Sequence, residues 1–233
     1  MRRVRQDELL DDDLGTPQEI ADGFNDLWWI NRNLGGIAST LKLFERATSR
    51  IGAAGIRVLE VAAGDGRMAA WLEDALERRG IHAEFTLLDR RLSHLALGRA
   101  ALKKNGRLVG DALALPFREE SFDLVFCNLF LHHLSDEQTK CLLQQARSVA
   151  RRAVLINDLE RNFWSYAFIR LASPFARSRL TRHDGPASVR QAYTRRELAA
   201  LASASGFGHV ELVPLPGLRM GLIGWKQPVN GGS

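Results

Sequence analysis

VLEVAAGDGRMAAWL, residues 58–72, passes from an apolar strand-like run through a small-residue loop into a helical pattern. A loop that leaves a parallel strand and enters a helix turns backbone N–H groups and the positive end of the helix dipole toward a ligand. Gly64 and Gly66 let that backbone come close, because no Cβ stands in the way. GDGRMA also satisfies the dinucleotide pattern G-x-G-x-x-A, a weak signal by itself. Glu60 discriminates. A carboxylate inside a strand is costly unless it meets a donor or a cation; it would repel a pyrophosphate and suit the ammonium end of a cationic ligand.

The rhythm around this stretch is strand, helix, strand. IRVLEVA is followed by the amphipathic MAAWLEDALERR, which Gly80 stops, then by the strand AEFTLLD. A helix LSHLALGRAALKK closed by Asn105-Gly106, a short strand RLVGD, the strand FDLVFCNLF and the strand AVLINDL continue it. Capping boxes open helices at Ser135 with Gln138, at Thr194 with Glu197, and at Thr16-Pro17-Gln18-Glu19. That first helix runs through LWWINRN toward Gly35-Gly36, and STLKLFERATSR makes a second. HVELVPLP and LRMGLIGWK close the chain as paired antiparallel strands around a Pro-Gly turn. Apolar strands alternating with helices predict an α/β fold, a three-layer Rossmann-like sandwich. Its sheet has seven mostly parallel strands and an antiparallel last strand, with helices on both faces. Residues 1–54 read as an N-terminal helical cap and 55–233 as the ligand-binding domain, with a lid-like insertion at about 161–193. The first fifteen or so residues, without periodicity, are expected to be loosely ordered.

At 233 residues the chain can bury a core without disulfides or metal. Cys127 and Cys141, in apolar surroundings, fit a reduced, cytoplasmic protein. The charged start MRRVRQDELLDDD is not a signal peptide, and no apolar run has the length of a membrane span. The net charge of +5 is modest and scattered, so nucleic acid is disfavoured as a partner. No feature specifies an oligomeric state.

The ordered motifs resemble the class I S-adenosylmethionine (SAM)-dependent methyltransferases. Glu60-Val61-Ala62-Ala63-Gly64-Asp65-Gly66 aligns with that family's first motif, an acidic residue before a G-x-G-x-G-like loop, with Ala62 in place of the first glycine. Asp89, ending the second strand, matches the acid that grips the ribose hydroxyls, and Arg90 beside it would cover the adenine. Asp111-Ala112 matches the segment that reads the adenine edge, and Asn128 the residue lining the methyl-transfer site. The resemblance implies SAM as cofactor and S-adenosylhomocysteine (SAH) as product, with Arg32 at the cofactor carboxylate.

Methyl transfer is an in-line displacement that needs positioning, and a hydroxyl or acidic carbon acceptor gains from a base near neutrality. LFLHHLSD supplies His132 and His133 just past the fourth strand, with His133 preferred as base and Asp158 of INDLERN as a further catalytic candidate. Either histidine could equally pack or cap a helix. No third ligand accompanies the pair at metal-binding spacing, so no metal is expected. The segment 161–182 carries many aromatic residues and five arginines with no acid. It reads as a core helix, as a lid over a dry acceptor pocket, or as a helix contacting an anionic membrane surface. Trp28, Trp164, Phe168 and His183 are the candidate acceptor contacts, although Asp184 before Gly185 suits a loop anchor. INRNLGG, NDLERN and HDGPASVRQAY further resemble small-molecule methyltransferases of polyketide and quinone pathways, which implies a phenol, quinol or acidic-carbon acceptor. An RNA- or protein-directed methyltransferase and a non-catalytic SAM-binding subunit are the alternatives.

Overall fold

The computed structural model describes residues 1–6, 8–9, 15–98, 106–216 and 218–227. Two helices lead in, α1 (Pro17–Asn33) and α2 (Gly36–Ile51). The capping box at Thr16 and Glu19 forms as the sequence predicts. The alternating part follows: β1 (Gly55–Val61), α3 (Arg67–Glu77), β2 (His82–Asp89), α4 (Leu92–Leu97), β3 (Gly106–Val109), β4 (Phe122–Asn128), α5 (Asp136–Val149) and β5 (Ala150–Leu159). Then come α6 (Phe163–Ala172), α7 (Arg179–Gln191), α8 (Arg195–Ser203), β6 (His209–Val213) and β7 (Arg219–Trp225).

The seven strands lie in the order β3-β2-β1-β4-β5-β7-β6. β1 to β5 pair in parallel, while β7 runs antiparallel to both β5 and β6. Side chains alternate across the sheet, as the strand period demands. Val58 packs with Leu43 and Phe44 of α2 and Leu72 of α3 on one face. Leu59 and Val61 pack with Leu142 and Leu143 of α5 and Leu198 of α8 on the other. Strand order reverses on either side of β1 and β4, and open α/β sheets bind ligands at the carboxyl ends of strands at such a point.

Three expectations change. The helix anticipated over LSHLALGRAALKK is α4, a short element ending at Leu97, and its expected close at Asn105 lies outside the described residues. HDGP is no loop: it lies inside α7, which runs through Pro186. The amino terminus is not loose where it is described. Arg3 donates to the carbonyls of Gln191 (2.6 Å) and Leu134 (2.7 Å), and its guanidinium lies 3.7 Å from the Tyr193 ring centroid. Arg5 donates to the His133 carbonyl and the Leu9 amide to Asp184. Sequence periodicity cannot register such an anchor, since long-range hydrogen bonds rather than a buried apolar face make it.

Candidate active site

A cavity of about 980 Å³ opens at the carboxyl ends of β1, β2, β4 and β5, with α1 and α7 forming its outer walls. Glu60, Gly64, Asp89, Asp111, Asn128 and His132 all line it, so motifs far apart in sequence converge on one space.

The loop after β1 shows why Ala62 matters. Ala62 stands at φ 55° and Gly64 at φ 57°, both left-handed. That conformation is free to glycine and costs an alanine roughly 1 kcal/mol. The loop is held regardless: the Gly64 amide donates to Asp89 Oδ2 (2.8 Å), and the Ala63 amide to the Leu88 carbonyl. A Cβ on Gly64 would lie 2.7 Å from the Phe24 ring of α1, so only glycine lets α1 settle on the loop. Asp89 also accepts from the Arg91 amide at 2.9 Å. A carboxylate offers about four acceptor sites, so lone pairs remain for a diol.

Glu60 is 2% exposed, and its Oε2 has no partner among the described residues. Burial, and then the nearby Asp65 and Asp89, push its pKa up to about 8. A cationic ligand would offset the shift by favouring the ionised carboxylate. This acidic floor fits a sulfonium and an ammonium, and would oppose a pyrophosphate. Arg90 and Ala112 line the same end of the cavity, and Gly66 caps α3 below the loop.

At the β4–β5 end of the cavity, Asp158 is 1% exposed behind His132. Its Oδ1 lies 2.6 Å from His132 Nδ1, and its Oδ2 accepts from the His132 amide. Burial alone would raise the Asp158 pKa, but the His132 charge and hydrogen bond bring the net shift below the ordinary carboxylate value. With Nδ1 committed to Asp158, the other ring nitrogen, Nε2, faces Glu8, which also lines the cavity. His133 is the preferred base in sequence, and the carboxylate orients its neighbour His132. Glu8 completes the cluster: its Oε1 is 3.8 Å from both His132 Nε2 and His133 Nδ1, and accepts from Ser188 and Gln191. The absence of a third ligand, inferred from local spacing, therefore fails in space, since donor atoms of Glu8, His132 and His133 lie within 4.8 Å of one another.

Several candidate residues lie off the cavity. Arg32 is exposed and does not line the cavity, because its α1 position turns outward. Trp164 is 77% exposed, and Trp164, Phe168 and His183 all lie off the cavity wall. Of the proposed aromatic contacts, Trp28 does line it. Ile169 is the α6 residue on the cavity wall, next to Gly185 of α7. Arg219, missed from sequence, lines the cavity while 3% exposed. Only the return of β7 beside β5 brings it there.

Residues 58–153 match the family model described as "Methyltransferase domain". The chain is 30% identical over 189 residues to the ubiquinone/menaquinone biosynthesis C-methyltransferase UbiE of Xylella fastidiosa (strain M12), covering 74% of this chain and 73% of that one. The chain belongs to the class I SAM-dependent methyltransferases. SAM is thus its cofactor, and the cationic ligand foreshadowed by Glu60 has a name. A UbiE of Stenotrophomonas maltophilia (strain R551-3) is 34% identical over 108 residues, which span 44% of this methyltransferase and 41% of the relative. Among solved structures, magnesium protoporphyrin IX methyltransferase from Synechocystis PCC 6803 with bound SAH shares the fold at TM-score 0.60. Its identity is 14%, with 88% of this chain and 94% of that one covered. A SAM-dependent methyltransferase from Aquifex aeolicus aligns at TM-score 0.60 and 16% identity, over 84% and 92% of the two chains.

Proposed function

We propose that this enzyme methylates a small, largely apolar phenol- or quinol-type acceptor, at oxygen or at an acidic ring carbon, with the Asp158–His132 pair removing the acceptor's proton. The observation that carries the reading is a buried, carboxylate-oriented imidazole facing the cavity that also holds the glycine loop. The UbiE names of the relatives support a quinol-like acceptor.

Bound SAM supplies an electrophilic methyl carbon on a sulfonium. The chain does the rest. Gly64 and Gly66 present the loop backbone to the amino-acid end, Glu60 offers a carboxylate to the ammonium, and Asp89 accepts from the ribose hydroxyls. Arg90, Asp111 and Ala112 enclose the adenine, and Asn128 stands beside the transfer point. His132 Nε2 takes the proton, Asp158 stabilises the resulting imidazolium, and His133 and Glu8 close the acceptor space. Phe24, Leu27 and Trp28 of α1 keep it dry.

Peripheral docking on an anionic bilayer belongs to the same proposal. Among the described residues no helix is long and apolar enough to cross a membrane. Yet Trp164, Phe168, Leu171 and Phe175 form one outward stripe, 77%, 44%, 75% and 88% exposed. Arg170, Arg177 and Arg182 flank it, also exposed. Such a face suits the headgroup boundary from which an apolar acceptor would be drawn.

Methyl transfer from SAM to a panel of phenols and quinols, by wild type and His132→Asn, tests the proposal. Turnover with at least one member that falls about 100-fold in the variant is expected from loss of a general base. An unchanged rate at saturating acceptor would refute the base, and SAH binding without turnover across the panel would favour a non-catalytic role.

A further inference from the structure

Arg219 opens β7 opposite Leu159 of β5, so its backbone is next to Asp158 in the sheet. Its Nη2 donates to Asn31 Oδ1 at 2.9 Å, which fixes the side chain against α1. Its Nη1 is buried and has no partner among the described residues. Asp158 acts on it electrostatically but makes no ion-pair contact with it, its oxygens accepting from the His132 ring, the His132 amide and the Leu159 amide. A guanidinium carries five donors in a rigid fork and keeps its charge at every working pH. A buried cation with an unpaired N–H on a cavity wall is a candidate anion site.

The sheet decides which ligand. β7 lies three strand positions from β1, in the order β1-β4-β5-β7. With neighbouring strands about 4.8 Å apart, the glycine loop is about 14 Å away across the sheet. Arg219 instead lies within electrostatic reach of Asp158, the carboxylate behind His132.

We infer that Arg219 is the acceptor's oxyanion site, holding a phenolate, enolate or carboxylate oxygen through Nη1 beside the Asp158–His132 pair. The inference rests on the methyl-transfer reading above and names the acceptor's chemistry: it carries an acidic oxygen. In the step, the acceptor's O–H proton passes to His132 Nε2 and the negative charge settles on the oxygen facing Arg219. An electron pair on that oxygen, or on a ring carbon conjugated with it, forms the bond to the methyl carbon. The S–CH3 pair stays on sulfur, leaving neutral SAH and a protonated His132. Stabilising charge where it develops is the arrangement that lowers such a barrier.

The test uses the full chain saturated with SAH and 4-nitrophenol as probe, whose phenolate absorbs in the visible. At a pH where the free phenol is mostly protonated, wild type is expected to bind it as phenolate, raising the phenolate-to-phenol ratio about tenfold. Arg219→Met should abolish that shift, and Arg219→Lys should retain part of it. Arg219→Met also loses the bond to Asn31; should it fail to fold, the lysine variant decides. A wild-type spectrum without the shift, or a full shift in Arg219→Lys and Arg219→Met, overturns the inference. So does weaker SAH binding in Arg219→Met with 5′-methylthioadenosine binding unchanged, since that would seat the cofactor's own carboxylate on Arg219. SAH calorimetry on wild type reports separately on the methyltransferase reading.

Discussion

Glu60 makes a quantitative prediction. Its carboxyl has an ordinary pKa of 4.5 and is pushed up to about 8 in the fold, chiefly by burial. A raised folded-state value means the folded chain binds a proton more tightly than the unfolded chain. The contribution to stability is then complete below pH 4.5 and is lost as pH rises through 8. Each pH unit in that window costs about 1.4 kcal/mol, hence about 3 kcal/mol at pH 7 and about 5 kcal/mol above pH 8. Glu60→Gln removes the titration and keeps the shape. Urea midpoints of the cofactor-free protein between pH 5 and 8.5 should fall with pH more steeply in wild type than in Glu60→Gln, the curves diverging by those amounts. Binding the cation should lower the Glu60 pKa and release close to one proton at pH 7, seen as a dependence of SAM binding heat on buffer ionisation enthalpy. Parallel stability curves, together with binding heats independent of buffer, would refute a neutral, cation-awaiting Glu60.

Three further outcomes are expected. Ala62→Gly should change stability by less than about 1 kcal/mol, because relief of the left-handed strain and the larger entropy of an unfolded glycine oppose each other; a loss of several kcal/mol in thermal unfolding would show that the methyl group packs against something essential. Asp158→Asn should lower kcat by about 100-fold or more while leaving SAH affinity nearly unchanged, since it frees His132 to take the wrong tautomer; an unaltered pH–rate profile would remove Asp158 from the mechanism. Flotation with vesicles containing anionic lipid should recover wild type, and Leu171→Ser with Phe175→Ser should reduce recovery about tenfold or more, whereas equal flotation would detach the exposed stripe from membranes.

Local chemistry wrote much of this molecule into its sequence. The period-two and helical runs, the capping boxes at Thr16, Ser135 and Thr194, and the order Glu60, Gly64, Asp89, Asp111, Asn128 all lie within single strands, turns or loops, so their meaning survives without long-range contacts. That was enough to reach the sheet, the family and the cofactor. The acceptor end depends on residues far apart in the chain. Glu8 meets His132 and His133 only because Arg3, Arg5 and Leu9 tie the amino terminus to the start of α5 and to α7, and Asp158 chooses between the histidines by hydrogen-bond geometry. The same holds for the segment after β5. Its aromatic residues read equally as core, lid or membrane face, and the fold puts Ile169 on the cavity wall next to Gly185, with Trp164 and Phe168 off it. Arg219 carried no signal in sequence, because a single arginine opening a strand is ordinary. Its burial arose when β7 folded back beside β5, leaving Nη2 on Asn31 and Nη1 without a partner among the described residues.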